Sequence, residues 1–201
     1  MLYDKDIRIP LFDFLEDNYG DVRILEEKQM GRSRADMVMV ARDHNIYGIE
    51  IKSDADTYAR LGRQVKDYDK YYDYNIVVVG TSHAYHIEEH VPEYWGIITV
   101  EVEDGVVDFY MLRTAKPNPK VKWKYKITMM WRPELAKIQQ WNAMPKYKEK
   151  SKSFVQGKIL ERVPEKITEE TLKKQMCKLL FDRNYDTIAE EIKDFKKRGR
   201  R

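Results

Sequence analysis

Short apolar runs punctuate a polar chain, and between them apolar residues recur at helical spacing. Met37-Val38-Met39-Val40 and Ile46-Tyr47-Gly48-Ile49 are two such runs, rich in β-branched or bulky side chains, and each predicts a buried strand. The polar stretch Ala41 to Asn45 between them has ordinary hairpin length. A hairpin symmetrical about Asp43 sets Val40 opposite Ile46 and Asp36 opposite Glu50. Strand alternation then puts Glu50 and Lys52 on one face, with Ile49 and Ile51 on the other. Opposed side chains in a hairpin lie about 5 Å apart at Cβ, and like charges there repel. Two carboxylates closing an apolar hairpin therefore need a counter-charge, and a divalent cation held between them, with Lys52 beside it, would supply one.

The same rhythms place the other elements. Asp6 to Asn18 reads as a helix closed by Gly20, with Leu11, Phe14 and Leu15 on one side. Asp21 to Met30 reads as a strand, on which alternation turns one of Glu26 and Glu27 inward. Asp54-Ala55-Asp56 offers a helix cap. The helix it starts runs to about Tyr72 on a stripe of Leu61, Val65, Tyr68 and Tyr72. Gly62 within it suggests close packing. Asn75 to Gly80 is a continuous β-branched run, as expected of a strand buried on both faces. A short helix from Ser82 to His90, a strand from Trp95 to Val102 and an antiparallel edge strand from Val106 to Leu112 complete the first part. The order helix, strand, strand, strand, helix, strand, helix, strand predicts an α/β domain over residues 1–115, a mixed sheet flanked by helices.

Lys116-Pro117-Asn118-Pro119 breaks the pattern. Lys120, Lys122, Lys124 and Lys126 then alternate with Val121, Trp123, Tyr125 and Ile127. That is strand periodicity with one face all lysine. It fits an edge strand guarded by charge, and equally a basic strip that tracks phosphates. Residues 116–201 are otherwise expected to be mostly helical. Helices are predicted from Pro133 to Trp141 and from Ser153 to Val163. A third, capped by Thr168, carries Leu172, Met176 and Leu179 on its inner face. A fourth is expected behind the capping box Thr187–Glu190, with Ile188, Ile192 and Phe195 inward, before the basic end KKRGRR.

Charge sharpens the division. Residues 1–115 hold 13 Lys and Arg against 23 Asp and Glu, a net of −10, and residues 116–201 carry a net of +13 within the overall +3. A basic half predicts a polyanionic partner, although the halves could also neutralise each other within the fold or across a homodimer. One cysteine, Cys177, rules out a disulfide framework and a cysteine zinc cluster. The charged start and the lack of any apolar run near 18 residues predict a cytoplasmic chain without membrane attachment. His83, His86 and His90 share a face if their segment is one helix, which makes zinc a minor candidate. The tyrosines of DYDKYYDY read as packing rather than a stacking platform. No P-loop, no dinucleotide fingerprint and no G-x-S-x-G is present.

Asp36 followed by Glu50-Ile51-Lys52 resembles the D…ExK core of the PD-(D/E)XK, or restriction-endonuclease-like, nuclease superfamily. The element order of residues 4–100 is similar to that superfamily's core, and Gln64 with Tyr68 resembles the QxxxY element of its RecB-like branch. EIKSDADTYARLGRQVKDYDKYYD and VPEYWGIITV resemble small bacterial and phage members with a basic helical C-terminal part. Ala35 departs from the proline that often precedes the aspartate.

The resemblance implies a divalent-metal-dependent nuclease, DNA as partner with RNA left open, and Mg²⁺ or Mn²⁺ as cofactor. Asp36 and Glu50 would hold the ion with the carbonyl of Ile51, and Glu27 matches an additional acid of some relatives. Lys52 would assist the attacking water and Gln64 would steady the site. Arg60 and Arg63, and the lysines at 120, 122, 124 and 126, would meet the nucleic-acid backbone. The alternative is a catalytically silent nuclease fold that binds nucleic acid or a protein.

Overall fold

The computed structural model describes residues 3–184, without the side chains of Lys5 and Glu27. The capping box at Thr187, the helix behind it and the basic end lie outside the described residues. The chain divides into two compact units, Met1–Val121 and Lys122–Arg201.

The first unit opens with α1 (Asp4–Tyr19), then β1 (Val22–Met30), β2 (Ser33–Ala41) and β3 (Ile46–Lys52). A 3₁₀ turn at Tyr58–Arg60 leads into α2 (Leu61–Tyr71), followed by β4 (Tyr74–Gly80) and the short α3 (Thr81–Ala84). β5 (Gly96–Glu103) and β6 (Val106–Arg113) complete it. The six strands form one mixed sheet in sequence order. β3, β4 and β5 run parallel at its centre, and β1, β2 and β6 are antiparallel to their neighbours. This is the α/β architecture expected from the order of elements, a mixed sheet with helices packed on it.

Ile7, Leu11 and Leu15 recur every four residues on α1 and are fully buried against Met37, Met39, Ile49, Ile51, Ile76 and Val78 on one sheet face. Strand alternation sends Glu50, Lys52, Val77 and Val79 to the opposite face. That face meets α2, whose Leu61, Val65 and Tyr68 are buried. Gly48 is required there: a Cβ would lie 2.2 Å from a Tyr72 ring carbon and 2.6 Å from one of Tyr68. Gly62, by contrast, has open space around it, so the close packing expected there is absent.

Three further expectations are corrected in this unit. Helix α2 begins only at Leu61 because the supposed capping acids bond elsewhere. Asp54 accepts from the Ser82 hydroxyl at 2.8 Å, and Asp56 accepts from the Ser53 amide at 2.9 Å. The helix expected over 82–90 breaks into α3 and a 3₁₀ turn at Ile87–Glu89, so the three histidines lose their common face. No group of three or more His, Cys, Asp or Glu placed to hold a metal occurs among the described residues. Finally, the Pro117–Pro119 segment belongs to the first unit. The Asn118 side-chain amide donates to the carbonyls of Asp69 (2.9 Å) and Tyr72 (2.8 Å), satisfying orphan groups at the end of α2.

The alternating lysines do not form a strand; Lys120 lies in the first unit and Lys122, Lys124 and Lys126 in the second. Trp123–Lys126 is a short helix, α4, continued by a 3₁₀ turn at Ile127–Met129. Lys126 is 1% exposed, and its ammonium lies 5.0 Å from the centre of the Trp123 ring, one turn back. A lysine stem packs like an apolar chain, so the polarity pattern is not the burial pattern. Lys126 is thereby removed as a phosphate contact, whereas Lys122 and Lys124 are exposed. The remaining elements are α5 (Arg132–Trp141), α6 (Lys152–Leu160) and α7 (Glu169–Phe181). The Thr168 hydroxyl caps α7 through the Thr171 amide at 3.0 Å, and Leu172, Met176 and Leu179 are buried. Buried Arg183 grips Glu134 at 2.8 and 2.6 Å and stacks on Trp131. No helix among the described residues is long and apolar enough to cross a membrane.

Candidate active site

The register of the central hairpin decides where its acids lie. Val40 pairs with Ile46, Met39 with Tyr47, Val38 with Gly48 and Met37 with Ile49. The ladder stops there. β3 continues against β4 as far as Lys52↔Val79, while β2 continues against β1 to Ser33. The two strands part at the step where Asp36 and Glu50 would be next. The Asp36 carboxylate bridges the opening by accepting from the Ile51 amide at 2.9 Å.

Glu50 is 1% exposed and Lys52 is 3% exposed. Burying a carboxylate is costly without partners, and Glu50 has three. Lys52 Nζ lies 2.6 Å from Oε1, the Gln64 side-chain amide also donates to Oε1, and the Tyr68 hydroxyl donates to Oε2 at 2.7 Å. Gln64 and Tyr68 lie one turn apart on α2, so a single helix face orients the acid. Tyr68 Oη also accepts from the Asp36 amide at 3.3 Å, which ties both acids to one side chain. Burial raises the Tyr68 hydroxyl well above its ordinary range, so it stays protonated as a donor.

Asp36 is electrostatically frustrated. Burial pushes its carboxyl up, the negative charge of Glu50 pushes it further, and the Ile51 amide pulls it down; it settles at about 7. Arg8 on α1 answers part of this. It bonds Asp4 at 2.7 Å, donates to the Asp36 carbonyl at 3.3 Å and stands 3.8 Å from the Asp36 carboxylate.

These groups line one cavity of about 380 Å³. It is lined by Arg32, Ser33 and Arg34 at the start of β2, by Arg60, Arg63 and Gln64 at the start of α2, by Glu50, Ile51 and Lys52 of β3, and by Asp4, Arg8, Asp36 and Asp56. Six basic residues thus meet four acids here, although residues 1–115 carry a net charge of −10. Nearly half of that region's 13 Lys and Arg are gathered at this one place. Such a concentration focuses a field attractive to anions.

The expected residues Asp36, Glu50, Ile51, Lys52, Gln64, Arg60 and Arg63 are brought together in this cavity. Glu27 lies on β1 between Glu26 and Lys28, whose partners are Met37 and Ala35; its side chain is outside the described part. Lys120 is elsewhere in the unit, 3.4 Å from Asp69.

A family model described as bacteriophage P4 protein cII matches residues 1–198. The chain belongs to the bacteriophage P4 protein cII family. Among curated proteins no relative matches. Two solved structures are similar in part. One is the SPO1766 protein of unknown function from Silicibacter pomeroyi, 23% identical, covering 51% of this chain and 64% of that one at a TM-score of 0.39. The other is Pyrococcus furiosus SfsA in complex with Ca²⁺, 14% identical, covering 59% of this chain and 63% of that one at a TM-score of 0.36. Less than two thirds of either structure is therefore spanned.

The sequence did not point to Arg8, Asp4, Arg32 or Asp56 as cavity residues. The Asp4–Arg8 spacing signals a helical ion pair, but which side of α1 meets the open hairpin depends on how helix and sheet pack. Tyr68 was visible both as part of the α2 stripe and as the partner of Gln64.

Proposed function

We propose that this protein is a divalent-metal-dependent nuclease of the PD-(D/E)XK type that hydrolyses phosphodiester bonds in DNA. The observation that carries the reading is the opening of β2 and β3 at Asp36 and Glu50, which sets two carboxylates beside a buried lysine in a cation-rich cavity.

The donor set fits Mg²⁺ or Mn²⁺. Asp36 and Glu50 offer hard oxygen ligands, with the carbonyl of Ile51 as a third, and an ion with few protein ligands keeps several waters. The rise of Asp36 to about 7 marks a place where two acids repel and where a cation would relieve them. When bound, the metal would supply positive charge against the phosphate oxygens as negative charge builds on them. The chain does the rest. Gln64 and Tyr68 hold Glu50 in one orientation. Lys52 holds an ammonium proton beside the scissile phosphate, where it aligns the attacking water. Arg60 and Arg63 bind flanking phosphates. The new bond joins the water oxygen to phosphorus, the bond to the leaving oxygen breaks, and the proton released by the attacking water passes through solvent to the leaving oxygen.

One observation favours the silent alternative: Glu50 already has three partners and almost no exposure. The two readings separate on incubation with plasmid, single-stranded and branched DNA in Mg²⁺ or Mn²⁺. A nuclease cleaves, and Glu50→Ala and Lys52→Ala lose cleavage. Cleavage that persists in both variants contradicts the assignment.

A further inference from the structure

The cavity's depth and the ring beside it bear on which form of nucleic acid fits. Glu50 and Lys52 are 1% and 3% exposed, so a scissile phosphate must enter the cavity to reach the lysine. A duplex is stiff and presents its phosphates on the outside of a wide rod. A single strand can turn one phosphate inward while its neighbours follow a basic groove. Arginines from two elements line the cavity, Arg32 and Arg34 at the start of β2 and Arg60 and Arg63 at the start of α2. Their planar forks match phosphate oxygens.

An aromatic group adjoins the α2 side. Tyr58 lies between Asp56 and Arg60, both of which line the cavity. Its ring centre is 4.7 Å from that of His83 and 4.1 Å from that of His90. Its hydroxyl donates to the His83 carbonyl at 3.0 Å, which fixes the ring. Tyr58 and His83 are half-buried and His90 is exposed, and His83 Nε2 lies 3.1 Å from the carbonyl of the cavity residue Asp56, so the group stands next to the arginine-lined cavity with ring surface partly open to solvent. Stacked bases on such rings and phosphates on such a groove are the two components of single-strand recognition. Neither component reads sequence.

We propose that the cavity takes a single strand, or the unpaired end of a duplex, with phosphates between the arginine walls and a base on the Tyr58–His90 group. The reading rests on the nuclease assignment for its chemistry but not for its binding, and the two are tested apart. Fluorescence anisotropy in EDTA with a labelled 20-nucleotide single strand, the matching blunt duplex and a duplex with a single-stranded tail measures binding without cleavage. The single strand and the tailed duplex bind at least about tenfold more tightly than the blunt duplex. Tyr58→Ala lowers single-strand affinity about tenfold, the loss of one stacked base, and Tyr58→Phe retains it. Far-ultraviolet circular dichroism verifies that both variants are folded. Blunt duplex bound as tightly as single strand by the wild-type protein overturns the proposal, as does equal affinity of folded Tyr58→Ala and wild type. Single-strand preference without cleavage in Mn²⁺ upholds the proposal and removes the nuclease assignment. Cleavage without strand preference does the reverse.

Discussion

Two sets of wholly or partly buried carboxylates lie in the first unit, and they are built differently. Asp69, 3% exposed on α2, is a lone acid closed in by donors. Tyr94 Oη reaches it at 2.6 Å, Trp95 Nε1 at 3.0 Å and the Asn75 amide at 3.3 Å, with Lys120 at 3.4 Å. Those groups come from β4, the residues just before β5 and the strap after β6, so the acid on α2 ties together segments distant in sequence. Asp36 and Glu50 are two acids beside each other, they open into a cavity, and basic residues surround them in excess. A carboxylate that fastens a fold is satisfied and enclosed. Glu50 is enclosed as well, but its neighbour is the like-charged, part-exposed Asp36, a combination that costs stability and needs another reason to exist.

Substitutions that exchange these two behaviours test the contrast, and the largest effects fall on activity. On the proposed nuclease assignment, in which each removes a group at the reacting phosphate, Asp36→Asn, Glu50→Ala and Lys52→Ala each lower the cleavage rate by about three orders of magnitude or more. Initial rates on single-stranded DNA in Mn²⁺ show this. Asp69→Ala lowers stability by about 3 kcal/mol, because it strands the Trp95 and Tyr94 donors in the interior. Its cleavage rate per folded molecule is unchanged, which urea unfolding and active-site-normalised kinetics check together.

The next effect concerns pH. The Asp36 carboxyl rises from an ordinary value of 3.8 to about 7 in the fold, so protons bind the folded state more tightly. The stability this contributes is complete below about pH 4 and is lost as pH rises through about 7. Asp36→Asn is therefore more stable than wild type by about 1–3 kcal/mol at pH 8 and gains nothing at pH 4. Urea midpoints at the two pH values read the difference directly. The smallest effect belongs to Tyr68→Phe, which removes one donor to Glu50 and keeps the ring. It slows cleavage about tenfold, in keeping with the loss of one orienting hydrogen bond.

How much of this the chain announced depends on the range of the interactions. The hairpin was legible because period-two patterning and a symmetrical turn leave one register; Met37↔Ile49 to Val40↔Ile46 obey it. The α2 stripe was legible for the same kind of reason, and Leu61, Val65, Tyr68 and Tyr72 are all buried. What the pattern could not give was how α1 is turned on the sheet, and so Arg8 was hidden. Asp69 was hidden because its partners come from Asn75 to Lys120. Lys120 to Lys126 misled because alternation counts charges, whereas the fold buries the Lys126 stem against Trp123. The break between α3 and the turn at Ile87–Glu89 took the three histidines off a single helical face, and His83 and His90 meet instead at the Tyr58 ring.

The most direct test is a calorimetric titration of the protein with Mn²⁺ at pH 8, repeated with Asp36→Asn and Asp69→Asn. The account predicts saturable uptake in the wild type, retained in Asp69→Asn and lost in Asp36→Asn. No uptake by the wild type, or uptake that Asp36→Asn leaves unchanged, would contradict it.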